Sequence, residues 1–186
     1  TGIDSLTHAI EAYVSKKASP YTDALALSAM KHITANIRTA CREPDNAGAR
    51  EHMMLGATQA GLAFSNASVC LVHGMSRPIG AFFHVPHGLS NAMLLPAVTA
   101  YSAPAALTRY ADCARTMGVV PDDAKNQLAV NRLVDALVTL NRDLEVPTPK
   151  TYGIDATQYF DLLPKMAEQA LESGSPNNNP RIADKA

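Results

Sequence analysis

The sequence predicts an all-α fold, a single helical domain of about seven or eight helices. Three observations carry this reading. Apolar residues recur at helical spacing along almost the whole chain, as in Leu6, Ile10, Tyr13 and Val14, or in Leu128, Leu133, Leu137 and Leu140. Runs that alternate apolar and polar with the period of a strand are nearly absent. Helix breakers divide the chain at intervals that suit helices of ordinary length.

The first helix is expected over residues 4–16, ended by the Ser19-Pro20 step. The second runs from about 21 to 42 and stops before Pro44. The third, about 46–68, has Asp45 as its N-cap and carries small residues (Gly56, Ala57, Ala60, Gly61) that permit close helix contact. Helices at about 70–83 and 87–101 follow, divided by Val85-Pro86, where the proline suits the first turn of a new helix. Next come about 104–117, about 122–144 after Pro121-Asp122, and about 156–173 opened by Asp155. Ser173 to Pro180 is a loop by composition. There is no repeat of fixed period and no low-complexity tract beyond Asn177-Asn178-Asn179. A ligand-type residue as early as Asp4 would fray without a preceding segment, so a fragment cut at both ends is expected.

Of the 186 residues, 47% are hydrophobic and 18% charged, with 16 Lys or Arg against 17 Asp or Glu. Domains of this length bury about 70% of their unfolded surface, so a core stands without staples or metals, and stability does not explain the six histidines. A net charge of −1 offers no positive field to phosphate backbones or anionic lipid, which argues against nucleic acid and membrane partners. No apolar run approaches the roughly 18 residues of a membrane span, and the first residues resemble no signal peptide. A soluble, cytoplasmic protein is expected. Cys41, Cys70 and Cys113 are odd in number and widely spaced, so they read as small buried hydrophobes rather than a disulfide framework or a thiolate zinc site.

Two clusters carry chemistry. In the first, Asp4 and His8 stand one helical turn apart, their side-chain bases about 6 Å from each other, close enough to grip one ion. A plain helix cap followed by an unrelated histidine fits the same spacing. The second cluster, Val72 to Gly88, sets His73, His84 and His87 in otherwise apolar sequence, where a neutral imidazole needs a hydrogen-bond partner or a metal. On one straight helix His73 and His87 would lie about 21 Å apart and could share nothing. The Val85-Pro86 break lets His87 open a helix folded back toward His73, with buried structural histidines as the rival reading. Together Asp4, His8, His73 and His87 would offer one anionic oxygen and three imidazole nitrogens, leaving a position open for Lewis-acid catalysis. A donor set without sulfur does not discriminate between Fe(II), Zn(II), Co(II) and Ni(II).

Gly2-Ile3-Asp4-Ser5-Leu6-Thr7-His8-Ala9-Ile10-Glu11, Gly61-Leu62-Ala63-Phe64-Ser65-Asn66, His73-Gly74-Met75, Pro86-His87-Gly88, Asn91-Ala92 and Leu94-Leu95-Pro96 resemble the iron-dependent (group III) alcohol dehydrogenases. The similarity extends over nearly the whole chain. It implies the C-terminal, all-helical, metal-binding half of a two-domain enzyme, with Asp4, His8, His73 and His87 as ligands of Fe(II), or in some members zinc. It implies a metal-dependent alcohol dehydrogenase or aldehyde reductase, in which the metal polarises an alcohol or carbonyl oxygen for hydride transfer to or from NAD(P). The family's glycine-rich turn for the NAD(P) pyrophosphate has no counterpart here, so the cofactor is expected to be bound mainly by a missing N-terminal domain, and the 186 residues alone are expected to be inactive. Family members commonly form dimers or larger homo-oligomers on small alcohol or aldehyde substrates.

Many members carry a histidine four residues after the first His of the His-x13-His motif, a candidate proton relay. Arg77 stands there instead, and it cannot act as a base. It would offer a fixed positive charge to a cofactor phosphate or a substrate carboxylate, or pair with a local carboxylate or carbonyl. His84 competes with His87, but the family's Pro-His-Gly falls on His87, which leaves His84 to hydrogen-bonded packing or to a substrate or cofactor contact. Phe64 matches the aromatic segment near the substrate channel, and core packing is its alternative. Glu11 is expected to make an interhelical hydrogen bond or support a ligand. His32 and His52 read as ordinary surface histidines. A reading from another class is a non-catalytic helical assembly module whose histidines satisfy one another. A His-Asp phosphohydrolase is excluded, because no histidine is followed by aspartate.

Overall fold

The computed structural model describes residues 1–184, and these form nine α-helices and two short 3₁₀ turns with no strand. The helices are α1 (Gly2–Val14), α2 (Pro20–Arg42), α3 (Ala47–Ala67), α4 (Leu71–Phe83), α5 (His87–Ser102), α6 (Leu107–Thr116), α7 (Asn126–Asp143), α8 (Pro149–Tyr152) and α9 (Ala156–Glu172). The all-α expectation holds, and eight of the helices lie where apolar periodicity places them. No single described helix is long and apolar enough to cross a membrane.

Local chemistry sets the ends. Ser19 and Thr22 form a reciprocal capping box at the start of α2, and Asp155 accepts the Gln158 N–H at 2.8 Å to open α9 as expected. Three expectations are corrected. Asn46, not Asp45, caps α3, since its Oδ1 accepts the Ala49 N–H at 3.0 Å. The seventh helix begins at Asn126 rather than near 122, because residues 121–124 close a turn whose Ala124 carbonyl accepts from Arg115 at 2.7 Å. The segment after Ser173 is not a plain loop: Ser175–Asn178 is a 3₁₀ turn with Ser175, Pro176 and Asn178 buried against α4. Gly74 makes room for it, since a Cβ there would come within 2.8 Å of the Pro176 ring. The four-residue α8, held by a Thr148–Thr151 capping box and ended by Gly153 at φ 99°, is too short to show periodicity.

Helix α1 is the hub, packed on α2, α3, α5 and α6. Its buried Leu6 and Ile10 join Met30, Ile33, Ile37, Leu95, Leu133 and Leu137 in the main core. A smaller cluster of Ile79, Val85 and Met166 ties the end of α4 to α9. Helices α3 and α4 meet at 102° across residues 68–70. Ser68 takes φ 64° at that corner, a region that side chains rarely occupy. The surroundings hold it: Asn178 Nδ2 donates to Ser68 Oγ and Val69 O, and Ser15 Oγ donates to Ala67 O at 2.6 Å. That corner aims the first turn of α4 back at α1.

Candidate metal centre

Asp4, His8 and Glu11 lie at successive turns of α1, on the face toward α4. Asp4 is not a cap, since Thr1 occupies that position and the Asp4 side chain reaches to α5. The His8 ring stacks between Phe64, with ring centroids 4.2 Å apart, and His73, at 4.4 Å.

Glu11 fixes how α4 begins. Its buried carboxylate accepts the N–H groups of Cys70 at 3.0 Å and Val72 at 2.6 Å, two amides at a helix N-terminus that have no partner within the helix. The same carboxylate meets His73 Nδ1 at 2.6 Å. Because a carboxylate only accepts, Nδ1 carries the hydrogen and Nε2 is turned toward Asp4. The expectation of a supporting role for Glu11 is thus met by three donors rather than one.

Helix α5 supplies the remaining side. Pro86 precedes its first residue, His87, and the chain folds back as the Val85-Pro86 break predicts. Gly88 allows the close approach of α5 to α1, since a Cβ there would lie 3.2 Å from Asp4 Cβ. Asp4 Oδ1 is then 3.7 Å from His73 Nε2 and 3.8 Å from His87 Nε2. Donor atoms of Asp4, His8 and His73 all lie within 4.8 Å of one another. Asp4, His8 and His73 thus face one volume, with the half-exposed His87 at its edge, and carboxylate and imidazole donors of this kind fit a divalent transition metal.

Charge is distributed unevenly across the group. Burial alone would push the Asp4 carboxyl up, but His73 and the Asn91 amide, with His8 and His87 behind them, hold it well below the usual carboxylate range. Burial also opposes charge on His73, yet Asp4 and Glu11 at its two ring nitrogens raise its pKa to about 9. His8 is pushed down to about 4, by burial first and then by the charge of His73.

Phe64 stacks on His8 at this group and also packs against the edge of the main core, so it does both of the things expected of it. Arg77 is exposed one turn beyond His73 and makes no hydrogen bond or ion pair with any described residue, so the local pairing weighed for it is absent. His84 ends α4 at φ 54° with its side chain exposed, which corrects the packing expected of it; its carbonyl accepts from the Tyr152 hydroxyl at 3.4 Å. Asn91, fully buried one turn after His87, enters the group without having been given a role from the sequence. Its i+4 spacing from His87 was the available signal. A cleft of about 670 Å³ runs past Gly2, Ser5, Met53, Pro86 and Gly88, reaching the backbone beside Asp4 and His87 but none of the four donor side chains.

The sequence model of the Fe-containing alcohol dehydrogenase family, C-terminal, matches residues 1–186. Lactaldehyde reductase of Escherichia coli (strain K12) is 40% identical over 183 residues, 98% of this chain and 47% of its own length. The 1,3-propanediol dehydrogenase of Citrobacter freundii is 39% identical over 182 residues, 97% of this chain and 46% of its own. The crystal structure of a 1,3-propanediol oxidoreductase superposes with a TM-score of 0.93 at 38% identity, covering 100% of this chain and 48% of that one. The chain spans about half the length of these relatives.

Proposed function

The chain belongs to the Fe-containing alcohol dehydrogenase family, and on that footing we propose that it is the metal-binding half of an NAD(P)-dependent alcohol dehydrogenase or aldehyde reductase. The observation that carries the reading is the convergence of Asp4, His8 and His73 donor atoms within 4.8 Å, with His87 3.8 Å from Asp4. These four side chains would hold Fe(II), or alternatively Zn(II). Such an ion, when bound, supplies Lewis acidity at an alcohol or carbonyl oxygen. NAD(P) would be bound mainly by the rest of a protein about twice this long, as the length of the relatives suggests.

The chain's own residues do the positioning. Glu11 keeps the hydrogen of His73 on Nδ1, so that Nε2 is the atom presented to the group. Phe64 covers one face of His8 and keeps water from that side. No residue at position 77 relays a proton, so a proton leaving the alcohol must exit by another route. The guanidinium of Arg77, unpaired among the described residues, is available to a cofactor phosphate or a substrate carboxylate. Michaelis constants of Arg77→Ala for neutral and acidic aldehydes separate these: a rise confined to acidic aldehydes assigns it to the substrate, and equal effects remove that role. The relatives named lactaldehyde reductase and 1,3-propanediol dehydrogenase point to a small alcohol or aldehyde.

The direct test is elemental analysis together with turnover in full-length His73→Ala and His87→Ala. The reading expects both to lose most of the bound metal and turnover to fall by at least two orders of magnitude. Full occupancy with normal turnover would overturn it and favour an assembly module with structural histidines.

A further inference from the structure

Asn91 is fully buried, and its amide nitrogen lies 2.6 Å from Asp4 Oδ1, 3.1 Å from His73 Nε2 and 3.1 Å from His87 Nε2. One side chain therefore touches three of the four candidate donors, each on a different helix. We propose that Asn91 is the positioning residue that fixes the Asp4 carboxylate at the focus of the donor set. The proposal rests on the metal reading above and adds to it a residue that the ligand set leaves out.

An amide NH₂ carries two hydrogens and cannot donate to all three of these atoms at once. The shortest contact is to the only anion among them, and a hydrogen bond to an ionised acceptor is the strongest kind available. Imidazole nitrogens have a single lone pair, which a bound cation takes. A carboxylate oxygen has more than one, so the Asn91–Asp4 bond is the one that persists when the ion arrives. Asp4 needs this restraint, because its side chain remains 19% exposed and no other residue donates to it within 3.5 Å among the described residues. Meanwhile Asn91 Oδ1 is buried without a partner. An unpaired buried carbonyl weighs against the fold. The amide's work is therefore at the donor group rather than in stability.

The test is a Co(II) titration of the metal-stripped full-length protein, followed by visible absorption, beside thermal unfolding of the metal-free form. Asn91→Leu keeps the approximate volume and removes the donor, and Asn91→Ala serves if leucine does not fit. The expected result is a Co(II) dissociation constant raised by about 10–100-fold, with the metal-free Tm unchanged or higher. In an Asp4→Asn background the same substitutions should add little further loss, because the interaction they remove is already gone. Unaltered or tighter Co(II) binding would overturn the proposal, as would an affinity loss that only follows a fallen metal-free Tm in both variants. If the parent itself takes up no Co(II), the metal reading fails and this proposal with it; if the parent binds and the variants match it, the positioning role alone fails.

Discussion

Histidine rings meet in two places in this molecule, between α2 and α3 and at the junction of α1, α4 and α5. His32 and His52 face each other with their Nδ1 atoms 3.1 Å apart and ring planes 15° apart. They sit on two neighbouring helices at the surface, and no carboxylate lies within ion-pair distance of either ring among the described residues. His73 instead lies between His8 and His87, with Glu11 on one nitrogen and Asp4 beside the other. One ring nitrogen donating to the other accounts for that contact. The second group gathers two carboxylates and three rings at a junction whose centre, Glu11 and His73, is buried, where fixed charge has to be balanced. Proximity of histidines alone thus gives a hydrogen bond. Carboxylates that orient the rings and draw in positive charge make the same residue type a candidate donor set.

Removing what orients the rings should have the largest effect. Glu11→Ala strands three buried donors, those of Cys70, Val72 and His73, and is expected to cost about 3–5 kcal/mol in denaturant unfolding. Metal content should fall with it. Glu11→Gln keeps the volume and should retain the fold better than alanine. Unchanged stability in Glu11→Ala would show that the start of α4 is held by other contacts.

Charge balance predicts a pH signature confined to the buried group. The folded-state pKa of His73 is raised to about 9 from an ordinary 6.5, so between those values the folded metal-free chain keeps a proton that the unfolded chain has released. Its contribution to stability is complete below 6.5 and is lost as pH rises through about 9. His8, pushed down to about 4, acts in the opposite sense: its contribution is lost as pH falls from 6.5 through about 4. The metal-free Tm should decline on both sides, and His73→Gln should flatten the alkaline limb. An alkaline limb equally steep in that variant would assign it elsewhere.

The smallest effects belong to the surface pair. His32→Gln and His52→Gln are expected to shift stability by no more than about 0.5 kcal/mol and to leave metal content unaltered. Loss of metal from either variant would erase the distinction between the two groups.

What the sequence reveals follows the range of the interaction. The Asp4–His8 pairing needs only a helix, and the return of His87 toward His73 needs only the Val85-Pro86 break, so both are legible. The corner that aims α4 is not, because Ser68 is held at φ 64° by Asn178, more than a hundred residues away. Nor is the buried turn at Ser175–Asn178, whose asparagines and serines have loop composition and become interior only through partners at the α3–α4 corner and through packing on α4 and α9. Asn91 was visible as part of a motif, but its contact with Asp4 spans 87 positions. Asp45 and Asn46 are both good caps, and only geometry chooses between them.

Anomalous diffraction at the iron or cobalt edge, from crystals of the metal-loaded full-length protein, addresses the central claim most directly. The account predicts a single strong peak enclosed by Asp4, His8, His73 and His87. A peak between His32 and His52, or at any point beyond reach of those four side chains, would contradict it.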